Sequence, residues 1–211
     1  MSASDQPTSD SSLLDHFALF GIERKLAIDS EKLEARFHTL QMASHPDRFG
    51  TGEAADLELA EDTSASINTA YRVLREPIAR LRYLLSLYGY SVEQSKAVPK
   101  SLLMAIMESQ EAISELESAT SGADTSKALA ALKTSMEAWD LHRKSLTEKR
   151  DALSQKWDAL SGVPHDKTGL TDEQKEMLDR FVNVLVERAY LETLSTAVRD
   201  ALDGVKRMIR H

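Results

Sequence analysis

The chain has 211 residues, 42% hydrophobic and 28% charged, with a formal net charge of −8. Such a balance fits a globular protein and opposes a nucleic-acid binder, which carries a basic field. With no Cys, the chain's own residues offer no disulfide, Cys-ligated zinc or iron–sulfur ligand set. No apolar run approaches the roughly 18 residues of a membrane span. The first residues lack a basic and apolar leader and read as a disordered tail over residues 1–11. A cytoplasmic protein with no membrane or nucleic-acid partner is therefore expected.

Gly (8) and Pro (5) are scarce, which favours helices. Leu13, Leu14, Phe17 and Phe20 form a short helix of about two turns, ended by Gly21. Asp29-Ser30-Glu31 signals the start of a second helix, with Leu33, Phe37 and Leu40 on one face. It should fade near Ser44, because His45 precedes Pro46 and is biased away from helix. The stretch from His45 to Gly52 reads as a loop. The third helix carries the stripe Leu57, Ala60, Ser64, Ile67, Tyr71 and Leu74, the pattern of a helix packed antiparallel on a neighbour. Pro77 opens a fourth, carrying Ile78, Leu81, Leu84, Leu85 and Tyr88 and closed by Gly89.

The pattern breaks between Tyr90 and Lys100, and a linker is assigned to residues 89–100. Three helical segments follow: from about Ser101 to Thr120, from about Asp124 to Leu160, and from about Asp172 to near the end. The middle one has the stripe Leu129, Leu132, Met136, Trp139, Arg143, Leu146, Arg150, Leu153, Trp157 and Leu160. Its two arginines are expected to snorkel at the seam. No alternating strand pattern appears. The expectation is an all-α protein with an N-terminal helical unit over 12–88 and a three-helix bundle over 101–211.

The tripeptide His45-Pro46-Asp47, followed by Phe49, lies between two amphipathic helices in the first 80 residues. This arrangement resembles a J domain, the module that stimulates the ATPase of DnaK-class chaperones. The bland alternative is a helix-terminating loop with incidental polar residues. Further segments resemble one family of such proteins: Leu19-Phe20-Gly21-Ile22, Ser66-Ile67-Asn68-Thr69-Ala70-Tyr71, Leu74-Arg75-Glu76-Pro77, and Arg80 to Leu87. They are similar to the HscB family, the J-type co-chaperones of iron–sulfur cluster assembly. A generic DnaJ protein continues into a Gly/Phe-rich linker and Cys-rich repeats, and this chain has neither.

The resemblance implies that His45, Pro46 and Asp47 meet an HscA/DnaK-type ATPase chaperone, helped by basic residues on the preceding helix. Lys32 and Arg36 supply that basic face, with His38 as a candidate third, and residues 1–88 carry 9 basic against 14 acidic side chains. A weak basic face implies little electrostatic steering.

On the helix after the linker, Leu102, Ile106, Ser109, Ile113 and Leu116 share one face, suited to a core. Leu103, Met104, Met107, Glu108, Glu111 and Glu115 gather on a second face, within about 140° of arc. A solvated face would not need Leu103 and two methionines, and Met suits protein-binding surfaces. The alternative is that these residues pack on another helix. The HscB resemblance implies that they bind the scaffold protein IscU, with Tyr190 of the last helix in the same patch. It also implies delivery of that scaffold to the chaperone. The rivals are a J-type co-chaperone for a different client and a structural helical adaptor.

No residues suggest catalysis, a metal or a cofactor. His16, His38, His142, His165 and His211 are scattered without ligand spacing and read as surface residues. His45 with Asp47 forms no oriented acid–base site, and no Gly-rich phosphate loop exists.

Overall fold

A computed structural model describes residues 15–44, 54–93, 99–100, 102–119, 122–164 and 167–209. Among the described residues there are seven α-helices and no strand: α1 His16–Leu19, α2 Ser30–Ser44, α3 Ala54–Arg75, α4 Pro77–Leu87, α5 Leu103–Ser118, α6 Gly122–Asp158 and α7 Asp172–Ile209. Contacts divide the chain into two units between Leu84 and Leu85, inside α4.

In the first unit, α2 begins where a capping side chain can receive its free amides. Asp29 Oδ1 accepts from the N–H groups of Glu31 and Lys32 at 3.1 and 3.2 Å. Those bonds hold the Asp29 carboxyl below the usual carboxylate range. α2 pairs with α3: Phe37 stacks on Tyr71 with ring centroids 4.0 Å apart, and Gln41 donates to Asn68 at 3.1 Å. Ala60, Ile67 and Leu74 of the expected α3 stripe are buried and Ser64 and Tyr71 half-buried, while the side chain of Leu57 lies outside the described residues. α1 is one turn within the described residues, with Phe17 and Phe20 both 1% exposed. Gly21 follows at φ +62°, a conformation that only Gly adopts without strain.

Two polar clusters in this unit went unread in the sequence. Asp15 caps α1 by accepting from Phe17 N–H at 3.1 Å and pairs with Arg24 at 2.8 Å. The Tyr83 hydroxyl donates to Asp15 at 3.4 Å and accepts from the His16 N–H at 2.9 Å. His16 stacks on the Tyr83 ring at 4.2 Å, so this histidine is half-buried rather than a surface residue. Burial pushes the Tyr83 hydroxyl above its ordinary pKa. Arg80 is the second cluster. It is 5% exposed and donates to the carbonyls of Leu74 at 2.6 Å, Arg75 at 3.3 Å, and Leu26. One guanidinium thus joins the end of α3 to the segment before α2.

The second unit is built on two long helices, α6 and α7, about 55 and 57 Å long. No member of the expected α6 stripe is exposed; Leu132, Trp139, Leu146 and Trp157 are buried. Arg143 and Arg150 reach out of the seam to Asp140 and Asp151. α7 opens with a reciprocal capping box: Thr171 N–H donates to Gln174 Oε1 at 2.9 Å, and Gln174 N–H to Thr171 Oγ1 at 3.2 Å. α5 packs across both, with Leu102, Ala112 and Leu116 in one core with Leu132, Trp139, Leu191 and Val198. Tyr88, which follows α4, packs edge-on against Trp157 at 5.7 Å and donates to the Pro164 carbonyl at 2.9 Å.

Replacing Arg80 by Met fills similar volume but leaves three carbonyl groups without their donor. The expected cost is about 2–4 kcal/mol, since bonds to a charged buried donor are among the strongest to lose. Denaturant unfolding of the R80M variant, followed by circular dichroism, checks it.

Candidate functional site

Two surfaces carry the sequence-predicted residues. The first concerns α2 and the segment after it. His45, Pro46 and Asp47 lie outside the described residues; α2 ends at Ser44 before them and α3 begins at Ala54 after them. Lys32 and Arg36 are both on α2 and exposed, and each has a neighbour within its own unit. Lys32 pairs with Asp29 at 3.3 Å, and Arg36 Nε donates to the Phe20 carbonyl at 3.3 Å. The Arg36 guanidinium lies against Gly21, where an added Cβ would sit 3.3 Å from Nη2. The modest basic face expected from the sequence is thus partly satisfied by neighbours in its own unit.

The second surface is on α5. A helix of this composition divides its apolar residues between two faces, and one turns inward. Leu102, Ser109 and Leu116 are buried and Ile106 and Ile113 half-buried. Ser109 satisfies its hydroxyl by donating to the Ala105 carbonyl. The other face is open. Leu103, Met104 and Met107 are 49%, 65% and 57% exposed. Glu108, Glu111 and Glu115 beside them are exposed as well. The alternative, that these residues pack on another helix, finds no support among the described residues. Six large hydrophobic side chains are exposed among those residues, and three of the six fall within five positions of α5. Clustering of that kind separates a contact surface from scattered exposed apolar residues. Tyr190 lies on α7, half-buried and packed against the bundle core.

Among the described residues, no group of three or more His, Asp or Glu could hold a metal ion, and no helix is long and apolar enough to cross a membrane. His142, expected at the surface, is half-buried and meets Glu187 at 3.2 Å between α6 and α7.

An N-terminal helical hairpin unit followed by a three-helix bundle with one exposed apolar-acidic face defines the class. No protein-family model matches the chain. Among solved structures, the chain is similar to the human co-chaperone protein HscB, at 22% identity and a TM-score of 0.55, over 93% of this chain and 83% of that one. It is also similar to the chaperone HscB from Vibrio cholerae, at 26% identity and a TM-score of 0.56, over 90% of this chain and 99% of that one. The chain has the HscB fold, a J domain followed by a C-terminal helical bundle.

The two faces of α5 differ in what they hold together. Replacing Leu103, Met104 and Met107 singly by Ser should shift stability by no more than about 0.5 kcal/mol, as at other exposed sites. Leu116→Ala should cost about 2–4 kcal/mol, because it empties core volume. Thermal melts of the four variants check both.

Proposed function

We propose that this protein is a J-type co-chaperone of iron–sulfur cluster assembly. It captures the scaffold protein IscU on the open face of α5 and delivers it to an HscA/DnaK-type ATPase chaperone. The observation that carries this reading is the exposed run Leu103, Met104, Met107 with its three carboxylates, in a chain with the HscB fold. Solvent-facing Leu and Met in a bundle whose core is already filled have no structural task; a partner that buries them gains hydrophobic free energy.

Each residue has a stated role. Leu103, Met104 and Met107 make the apolar contact with the scaffold. Glu108, Glu111 and Glu115 set its register by meeting cations, and Tyr190 flanks the patch. On the J-domain side, Asp47 offers a charge to a basic group of the chaperone, His45 a hydrogen-bonding ring, and Pro46 a fixed backbone angle. Lys32 and Arg36 add a small electrostatic attraction. The protein contributes no catalytic group; it shifts the conformational equilibrium of an ATPase that does the chemistry. The J domain over 12–88 and the scaffold-binding domain over 101–211, joined by 89–100, act as one because they share a chain.

His45→Gln should abolish stimulation of the chaperone's ATP hydrolysis, read as phosphate release, and leave scaffold affinity unchanged. Met104→Ala with Met107→Ala should weaken scaffold binding about tenfold or more by calorimetry, with an unchanged melting temperature. A double mutant that binds normally rules out this face, and a His45→Gln protein that stimulates fully rules out the J-domain role.

A further inference from the structure

The two long helices outrun the third. α6 and α7 have 37 and 38 residues, whereas α5 has 16. The consequence shows in the side chains that step by seven along α6. Ala128 is buried, Ser135 and His142 are half-buried, and Lys149 and Lys156 are exposed. On α7 the row runs from Leu194, buried, through Glu187, half-buried, to Arg180, exposed. Both rows are covered where α5 packs and open beyond it.

A groove occupies the open stretch. Leu146, Leu153 and Val184 form its floor, and Lys149, Lys156 and Arg180 stand around it. Leu146 and Val184 also belong to the core beneath α5, so the groove continues the seat that α5 fills. Its carboxylate, Glu187, is engaged by His142 at 3.2 Å. Arg180 pairs with Glu176 at 2.6 Å, an exposed pair on one helix that a better-placed carboxylate can replace. A basic rim on apolar ground is unusual in a chain of net charge −8.

The open face of α5 is its complement. It presents Leu103, Met104 and Met107 with Glu108, Glu111 and Glu115, three apolar groups and three carboxylates against three apolar groups and three cations. The lengths are comparable. From Leu103 to Glu115 is about 18 Å along a helix, and the groove's α6 wall, from Leu146 to Lys156, is about 15 Å. We propose that the α6–α7 groove receives the α5 face of a second copy of this chain. The two surfaces are different, so the contact is head-to-tail and can extend beyond a pair, while the net charge of each copy opposes long chains. A copy held this way has its α5 face covered, and self-association therefore competes with any other protein that binds α5.

Sedimentation velocity of the full chain, from about 5 to about 200 µM, suits the weak end of specific contacts. Three proteins are compared: the wild type, a groove variant (Lys149→Glu with Lys156→Glu), and a face variant (Glu108→Lys with Glu111→Lys). All four positions are exposed, and circular dichroism confirms the helices. The wild-type average mass should rise with concentration. Each variant alone sets like charges together and should associate at least about tenfold more weakly. An equal mixture of the two variants restores opposite charges at both kinds of contact and should associate again. A wild type that keeps its single-chain mass throughout overturns the proposal and leaves the groove to some other protein. So does association that survives either variant, or a mixture that fails to regain it. None of these readings needs scaffold or chaperone, so their outcome is separate from that of the co-chaperone assays.

Discussion

α5 has more apolar surface than its bundle can bury. One helix has two apolar faces about a third of a turn or more apart, and a seam between two other helices accepts one of them. Leu102, Ala112 and Leu116 take that seam, fixed by Trp139, Leu132 and Leu191 on α6 and α7. Leu103, Met104 and Met107 are then held at the surface by the same packing that buries their neighbours. The backbone of the exposed face is thus fixed by packing, which lowers the ordering cost of docking on the proposed reading. Exposed Glu108, Glu111 and Glu115 lie on its C-terminal side.

The J domain is held together differently, by contacts between its helices. Phe37 against Tyr71 and Gln41 against Asn68 tie α2 to α3. Arg80 closes the other end, satisfying carbonyls at the end of α3 and ahead of α2. Asp15, Arg24 and Tyr83 fasten α1. On the proposed reading, the stiffness of this unit lets a short loop act on the chaperone, and α5 supplies the client. On the same reading, the near-neutral α2, with Lys32 and Arg36 each held by a neighbour, would leave an encounter with the chaperone little affected by long-range charge.

The helices and their buried stripes were legible because each lies on a regular period. Ile67, Leu74, Leu132, Trp139 and Leu146 follow steps of three and four and are all buried. The two faces of α5 could be separated on a wheel for the same reason. Arg80 and the Asp15–Tyr83 cluster were not legible, since their partners are backbone carbonyls or residues over 50 positions away. The capping box of α7 was present as Thr171 and Gln174 at the right spacing and could have been found from that alone. Tyr88 fits the α4 stripe by period, yet packs on Trp157, because periodicity reports that a side chain is buried and not against what. His142 went the same way: a lone histidine gives no sign of a carboxylate on another helix. The fold matches HscB over 90–93% of the chain although identity is 22–26%, which is where pattern outlasts individual residues.

The proposed mechanism requires scaffold capture and ATPase stimulation to be joined in one chain, because tethering holds client and J domain together at roughly millimolar local concentration. ATP turnover by the HscA/DnaK-type chaperone with scaffold present tests that requirement. The wild type is compared with an equal mixture of the His45→Gln chain, which keeps α5, and the Met104→Ala/Met107→Ala chain, which keeps the loop. The mixture should turn over ATP no faster than the two variants measured separately and added. A mixture that matches the wild type at equal micromolar dose would contradict delivery by a single chain.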